Sequence, residues 1–132
     1  MPLPIILNPK TPPSLAYKVF KAEQVRYHEQ AAAEALNISL FELMQRAGSG
    51  AFNYLLSRYP TVKKLLVLVG WGNNAGDGYI LACLAQQHGL AVTLVCADIK
   101  RPLSGDALQA QELWLENGNP LHCWDEVDFT NA

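Results

Sequence analysis

Gly70-Trp71-Gly72-Asn73-Asn74-Ala75-Gly76-Asp77-Gly78 follows directly on the apolar run Leu65-Leu66-Val67-Leu68-Val69. An uncharged run of this kind predicts a strand buried on both faces, as in parallel sheets. The glycines and asparagines after it predict a sharp turn, and residues 78–88 predict a helix. The turn therefore lies at the carboxyl end of a strand, which is the edge where open α/β sheets bind ligands.

The rest of the chain extends this pattern in both directions. Residues 17–36 predict a helix that stops at Asn37, and Ser39 with Glu42 has the spacing of a capping box that opens a second helix. After the turn come a strand at 91–95, a helix at 105–117 and a weak third strand at 120–123. Strands that alternate with helices predict an α/β fold. We expect a Rossmann-like three-layer α/β/α structure with a parallel sheet, truncated, and preceded by two N-terminal helices.

Composition limits the classes of function. Residues 1–16 contain five of the prolines and predict an extended arm, whereas residues 17–132 form the α/β region. The net charge of −2 favours neither nucleic acid nor an anionic membrane as a partner, and we expect neither. Cys83, Cys96 and Cys123 show no zinc spacing. Buried free thiols are expected at Cys83 and Cys96, and they indicate a reducing, cytoplasmic location.

The turn has the chemistry of an anion-binding site. Gly70 and Gly72 can adopt positive φ angles and let a ligand approach the main chain. The free N–H groups and the dipole of the helix that follows favour a phosphate.

Several specific motifs can be compared with this turn. Gly70, Gly72 and Ala75 satisfy G-x-G-x-x-G/A, the dinucleotide fingerprint, with Asp98 as the candidate for a ribose contact. A P-loop is excluded because no Lys-Ser or Lys-Thr follows the glycines. A nucleophile elbow is excluded because the turn holds neither serine nor cysteine.

The two asparagines and the aspartate admit two interpretations. The amides of Asn73 and Asn74 offer donors and acceptors, and an amide oxygen with loop carbonyls could coordinate a monovalent cation. The carboxylate of Asp77 suits a sugar hydroxyl. The alternative is that all three residues only form the turn and cap the helix, as these residue types commonly do.

The segment Gly72 to Gly78 resembles the G-N-N-G-G-D-G signature of the NAD(P)HX epimerases, the YjeF N-terminal domain family. The helix segments Val25-Arg26-Tyr27-His28-Glu29-Gln30-Ala31-Ala32 and Leu43-Met44-Gln45-Arg46-Ala47-Gly48 are also similar to family segments. The resemblance runs from about residue 20 to the end of the chain.

The resemblance implies a function and a set of site residues. Family members interconvert the R and S epimers of hydrated NADH and NADPH (NADHX and NADPHX). Transferred by position, the residues that contact the nucleotide are Asn73, Asn74, Ala75, Gly76 and Asp77, and Asn74 also helps to bind a potassium ion. The resemblance further implies a homodimer and, in many bacteria, fusion to an ADP-dependent NAD(P)HX dehydratase.

Two departures from the family pattern shape our expectations. Ala75 replaces a family glycine, and a positive φ there would cost about 1 kcal/mol. The later V-D-A-L-L-G-T-G and D-x-P-S-G motifs are absent from this sequence. We therefore expect the chain to be a fragment that carries part of the site, with the catalytic acid or base beyond residue 132. A dehydrogenase-type NAD domain and a non-catalytic scaffold remain alternatives, and Trp71 is expected to be exposed near the ligand.

Overall fold

The computed structural model describes residues 19–130, which fall into two compact units divided after Asn37. The predicted Pro-rich arm at residues 1–16 lies outside the described residues. Among residues 19–130, no helix is long and apolar enough to cross a membrane.

The first unit contributes helix α1, Ala22–Leu36. It begins later than the predicted residue 17, after Lys21, whose backbone N–H donates to Gln24 Oε1 at 2.8 Å. It ends as predicted at Asn37, which has a left-handed conformation with φ 56°. The N–H of Asn37 donates to carbonyls of the last turn, which completes the cap.

The second unit contains the α/β region in the predicted order. Helix α2 spans Leu40–Arg58, and the backbone N–H of Glu42 donates to Ser39 Oγ at 3.0 Å, the predicted N-cap. The elements that follow are β1 (Lys64–Val69), α3 (Asn74–Gln87), β2 (Ala91–Cys96), α4 (Gly105–Glu116), β3 (His122–Cys123) and a short 3₁₀ turn (Trp124–Glu126). The α/β class predicted from the sequence is confirmed.

The three strands form a parallel sheet in the order β1-β2-β3. Lys64 pairs with Ala91 and Val69 with Cys96, so the ends of β1 and β2 are level. Both connections run in the same direction across the sheet, and right-handed crossovers therefore place α3 and α4 on one face. The carboxyl ends of the strands meet at a single edge, beside the start of α3.

The core lies between this face of the sheet and the helices. Val67, Val69 and Leu94 project from the strands into it, and Tyr79 and Trp114 enter it from α3 and α4. The indole Nε1 of Trp114 donates to the carbonyl of Pro120 at 3.0 Å, so this buried polar atom has a partner. Cys83 and Cys96 are buried free thiols, as predicted.

The opposite face of β1 differs from the prediction. Leu66 and Leu68 were expected to be buried, but they are 37% and 55% exposed. The reason is that α3 packs on the other face, where a Cβ atom at Gly78 would lie 2.7 Å from Val69 and 3.5 Å from Val67. The alternation along β1 is that of a strand with one covered face.

The crossing of α2 over α3 depends on Gly48. A Cβ atom at this position would lie 2.9 Å from Cβ of Ile80 and closer still to its Cγ2. Ile80 is itself buried in the core, so it has little room to move. Gly48 therefore sets how closely the two helices approach.

Substitution of Gly48 by Ala tests this crossing. We expect Gly48→Ala to lower the free energy of unfolding by about 1–3 kcal/mol, because the added methyl group overpacks the contact. The matched control is Gly50→Ala on the same helix, where an added Cβ would meet nothing within 4 Å. That change should raise stability by about 0.5–1 kcal/mol through helix propensity. Urea unfolding midpoints measure both, and equal midpoints for the two variants would contradict the packing argument.

Candidate functional site

The sheet brings the loops after β1 and β2 together at its carboxyl edge. The backbone N–H of Ala97 donates to the carbonyl of Val69 at 2.9 Å, which continues the strand pairing into the two loops. A cleft of about 320 Å³ opens at this edge and is lined by residues 68–75. The predicted turn therefore lies at the edge of the sheet where open α/β folds bind ligands.

Helix α3 begins at Asn74, within the motif and earlier than the predicted residue 78. Its N-cap residue is Asn73, which already has helical backbone angles and makes no capping hydrogen bond with its side chain. The sequence predicts a later helix start because the motif contains glycines, and glycine usually marks a turn. The interpretation of Asn73 as a side-chain cap is wrong, so its amide is available for another role.

The first turn of α3 uses some of its own backbone donors. The N–H of Ala75 donates to the carbonyl of Gly72 at 3.1 Å, and the N–H of Gly76 donates to that of Asn73 at 3.0 Å. The side chains of Asn73 and Asn74 are exposed at the cleft. The polar surface offered to a ligand is thus formed chiefly by these two amides and the backbone just before the helix.

Gly70 and Gly72 contribute open space and not the predicted left-handed geometry. Among the described residues, the glycines with positive φ are Gly89, Gly105 and Gly118. A Cβ at position 70 or 72 would meet nothing within 4 Å. Because the chain enters the helix at once, the turn needs no left-handed residue, and the missing Cβ atoms keep the cleft floor accessible.

Gly78 differs from Gly70 and Gly72 because it lies in a close packing contact. A Cβ atom at residue 78 would lie 2.7 Å from Cγ1 of Val69, which is 3% exposed. At Gly76 an added Cβ would lie 3.1 Å from Cα of Ala107 and 2.5 Å from Sδ of Met44. The later glycines of the motif therefore let α3 lie close against its neighbours.

Ala75 and Asp77, the remaining predicted site residues, occupy the first turn of α3. Ala75 is 3% exposed and belongs to the core, although it also borders the cleft. Its φ is not positive, so the strain considered for alanine at this position does not arise. Asp77 is half-buried one turn into the helix. Asn73 and Asn74 thus meet at the cleft, whereas the Ala75 methyl group points into the core.

A positively charged side chain that the sequence motif does not include lies beside the cleft. Arg101, in the loop after β2, places its guanidinium carbon 4.3 Å from the ring centre of Trp71. Its Nε lies 3.4 Å from Oδ2 of Asp98, and Oδ1 of Asp98 accepts a hydrogen bond from the backbone N–H of Lys100 at 3.0 Å. Trp71 is 49% exposed, which confirms the predicted exposure. Arg101 could have been found only as a basic residue after the strand that carries Asp98.

A chain of hydrogen bonds in the core lies next to the carboxyl edge of the sheet. Gln111 Nε2 donates to the hydroxyl of Tyr79 at 3.0 Å, and that hydroxyl lies 3.2 Å from Sγ of Cys96. Burial, reinforced by the Cys96 contact, raises the pKa of Tyr79 well above its usual range. The neutral hydroxyl joins α3, α4 and the end of β2, and so fixes the elements on which both loops rest.

Comparison with known proteins identifies the family. Residues 40–131, well over half of the chain, match the family described as YjeF-related protein N-terminus. The chain belongs to the YjeF-related N-terminal family. Its relatives include the bifunctional NAD(P)H-hydrate repair enzyme Nnr of Escherichia coli, 43% identical over 113 residues, and an NAD(P)H-hydrate epimerase of Legionella pneumophila, 34% identical over 113 residues.

This YjeF-related chain spans only part of those proteins. Each match covers 86% of the chain, but only 22% of the E. coli enzyme and 40% of the Legionella epimerase. The crystal structure of yeast ynu0 has the same fold, with a TM-score of 0.67 and 19% identity over 87% of this chain and 51% of that chain.

The motif glycines of this YjeF-related chain should separate into two classes. Gly78→Ala should lower the free energy of unfolding by about 1–3 kcal/mol, because the methyl group meets a buried β-branched side chain. Gly72→Ala should leave stability within about 0.5 kcal/mol, because its methyl group points into open space. Denaturant unfolding of both variants, with circular dichroism as the probe, measures the difference. Equal losses would show that the motif glycines act alike.

Substitution of Ala75 by the glycine of the family motif should lower the free energy of unfolding. Ala75→Gly removes a buried methyl group and a good helix former from α3, so we expect a loss of about 1 kcal/mol or more. The change in unfolding midpoint in urea gives the sign directly. A gain in stability would mean that alanine is strained at this position after all.

Proposed function

We propose that this chain forms the nucleotide-binding part of an NAD(P)H-hydrate epimerase, which interconverts the R and S forms of NADHX and NADPHX. The observation that carries the proposal is the exposed amide pair Asn73 and Asn74 at an open cleft, at the start of a helix and the carboxyl edge of the sheet. The names of the relatives, NAD(P)H-hydrate epimerase and NAD(P)H-hydrate repair enzyme, support the choice of substrate.

The geometry suits a ligand with both phosphate and sugar groups. The positive end of the α3 dipole attracts an anion to the floor of the cleft. The two amides can donate to phosphate oxygens and accept from hydroxyl groups. Asp77, one turn further on, would repel a phosphate placed beside it, and its carboxylate is instead suited to a sugar hydroxyl. Ala75 and Gly76 complete the proposed set by placing the start of α3 at the cleft, since their N–H groups already donate to the carbonyls of Gly72 and Asn73.

A potassium ion fits the donor chemistry at Asn74. Its exposed amide supplies a neutral oxygen, the type of ligand that large monovalent cations accept, beside a loop with further carbonyls. The ion would supply positive charge next to the nucleotide phosphates. The part played by this chain is to hold one amide ligand and to orient the nucleotide against α3.

The reaction itself needs an acid or base besides these binding residues. Asp77 is the one carboxylate among residues 70–78, and its proposed role is to bind a sugar hydroxyl. We propose that the catalytic carboxylate lies in a segment corresponding to the rest of the relatives' domain. We further propose a cytoplasmic homodimer, and, in a longer protein, a second domain with ADP-dependent NAD(P)H-hydrate dehydratase activity, as the bifunctional relatives suggest.

Two other functions have less support. A dehydrogenase-type site would use Asp98 on the ribose, but both oxygens of that carboxylate already contact Lys100 and Arg101. A scaffold would not need an intact motif, and here the amides remain exposed and the cleft open. Titration with hydrated NADH and with NAD distinguishes an epimerase from a dehydrogenase-type domain, because the epimerase proposal requires tighter binding of the hydrate.

A chimera tests the epimerase proposal. Residues 40–130 replace the aligned segment of the E. coli repair enzyme, and conversion of R-NADHX into the S form is followed. The chimera should be active. Asn74→Ala should reduce kcat/KM at least about 100-fold, because the amide contributes to binding both the nucleotide and the cation.

The control for this experiment is Asn53→Ala, which removes an exposed amide from α2 outside the cleft. It should leave the activity of the chimera unchanged. The isolated 132-residue chain should show no turnover. The proposal is wrong if the folded chimera is inactive, or if Asn74→Ala and Asn53→Ala have the same activity.

A further inference from the structure

We infer that Arg101, stacked on Trp71, recognises a phosphate on the adenosine ribose, so that this site prefers 2′-phosphorylated, NADP-type nucleotides over NAD-type ones. The inference rests on the proposed function in taking the ligand to be a nucleotide. It adds a specificity-determining residue that the sequence motif does not include.

The position of Arg101 in the fold is the first argument. In open α/β sheets the nucleotide crosses the carboxyl edge, with its pyrophosphate at the first helix and its adenosine ribose over the end of the next strand. Arg101 follows the end of β2, in a loop held by the buried side chain of Leu103. In that arrangement the 2′ position of the ribose would lie near the loop that carries Arg101, and an arginine there suits a 2′-phosphate.

The engagement of Asp98 is the second argument. An acidic residue at the end of β2 would favour a free ribose 2′-hydroxyl, as in NAD. Here Oδ1 of Asp98 accepts from the N–H of Lys100 and Oδ2 faces Nε of Arg101. The carboxylate thus contacts both the loop backbone and the guanidinium, so part of its acceptor capacity is already in use.

The geometry of the guanidinium is the third argument. Its Nε lies 3.4 Å from Oδ2 of Asp98, and its Cζ lies over the Trp71 ring at 4.3 Å from the ring centre. The terminal Nη groups are the part of the fork that can meet a phosphate in two parallel hydrogen bonds. Cation–π stacking restricts the side chain before a ligand arrives, which reduces the ordering cost of binding.

The charge balance of the loop agrees with this role. Residues 97–104 carry one carboxylate, Asp98, and two cations, Lys100 and Arg101. Both members of the Asp98–Arg101 pair are well exposed to solvent, so the pair is screened and Asp98 does not cancel the charge of the guanidinium. Asp106, in the first turn of α4, is the acidic residue that follows the loop, and it is half-buried.

Binding of two mononucleotides to the purified 132-residue chain tests the inference. Adenosine 2′,5′-bisphosphate and adenosine 5′-monophosphate differ only in the 2′-phosphate, and isothermal titration calorimetry at low salt gives both Kd values. We expect the bisphosphate to bind at least about tenfold more tightly, as one charge-assisted bidentate contact can supply. Added salt should reduce this ratio, because the contact is electrostatic and exposed.

Variants of Arg101 test whether this residue causes the preference for the 2′-phosphate. Arg101→Gln should bring the ratio of the two Kd values close to one by weakening the bisphosphate alone. Arg101→Lys should leave an intermediate ratio, because an ammonium keeps the charge but loses the planar fork. Arg58→Gln is the matched control: it removes another exposed arginine, at the end of α2, and should leave the ratio unchanged.

Three results would overturn the inference: equal affinity for the two nucleotides, a preference that survives in Arg101→Gln, or no binding of the bisphosphate at millimolar concentration. Failure here differs from failure of the proposed function. An active chimera without a 2′-phosphate preference refutes only the inference. An inactive chimera, combined with a preference that depends on Arg101, refutes only the epimerase proposal.

Discussion

The close packing of α3 on β1 at Gly78 is the contact on which the rest of the site depends. A side chain there would meet Val69, and Gly76 gives the same freedom toward Met44 and Ala107. Because α3 lies so close to the strand, the chain can pass from the last residue of β1 into a helix within a few residues. The start of the helix is thereby fixed at the edge of the sheet, and the cleft opens in front of it.

This constraint divides the motif into two functional parts. Residues 75–78 face the core or its margin and determine where the helix sits, whereas residues 70–74 face the cleft and determine what it can bind. Ala75 is compatible with the fold because its position is helical and buried. The side chain of Asn73 does not cap the helix, because it makes no hydrogen bond at the N-cap position. The motif resembles one polar loop in sequence, but residues 75–78 serve packing and residues 70–74 form the surface that faces the cleft.

Much of the fold could be predicted from local signals. The apolar runs at 65–69 and 91–95, the Ser39 cap and the Asn37 stop all appear in the structure because each depends on short-range chemistry. The start of α3 was missed because glycines that serve tertiary packing look like turn residues. The exposure of Leu66 and Leu68 was missed because an apolar run does not reveal which face will be covered. Arg101 was missed because its contact with Trp71 joins loops that are distant in sequence.

The most direct test of nucleotide binding at this cleft is a residue-resolved NMR titration of the 132-residue chain with NADPH hydrate. We expect the largest shifts at the backbone amides of residues 70–74 and at the side-chain amides of Asn73 and Asn74, with a smaller shift at the Trp71 indole. Amides of the buried residues Tyr79 and Ala82 should move little. No change at residues 70–74, or larger changes around Leu66 and Leu68, would contradict the claim that this cleft holds the nucleotide.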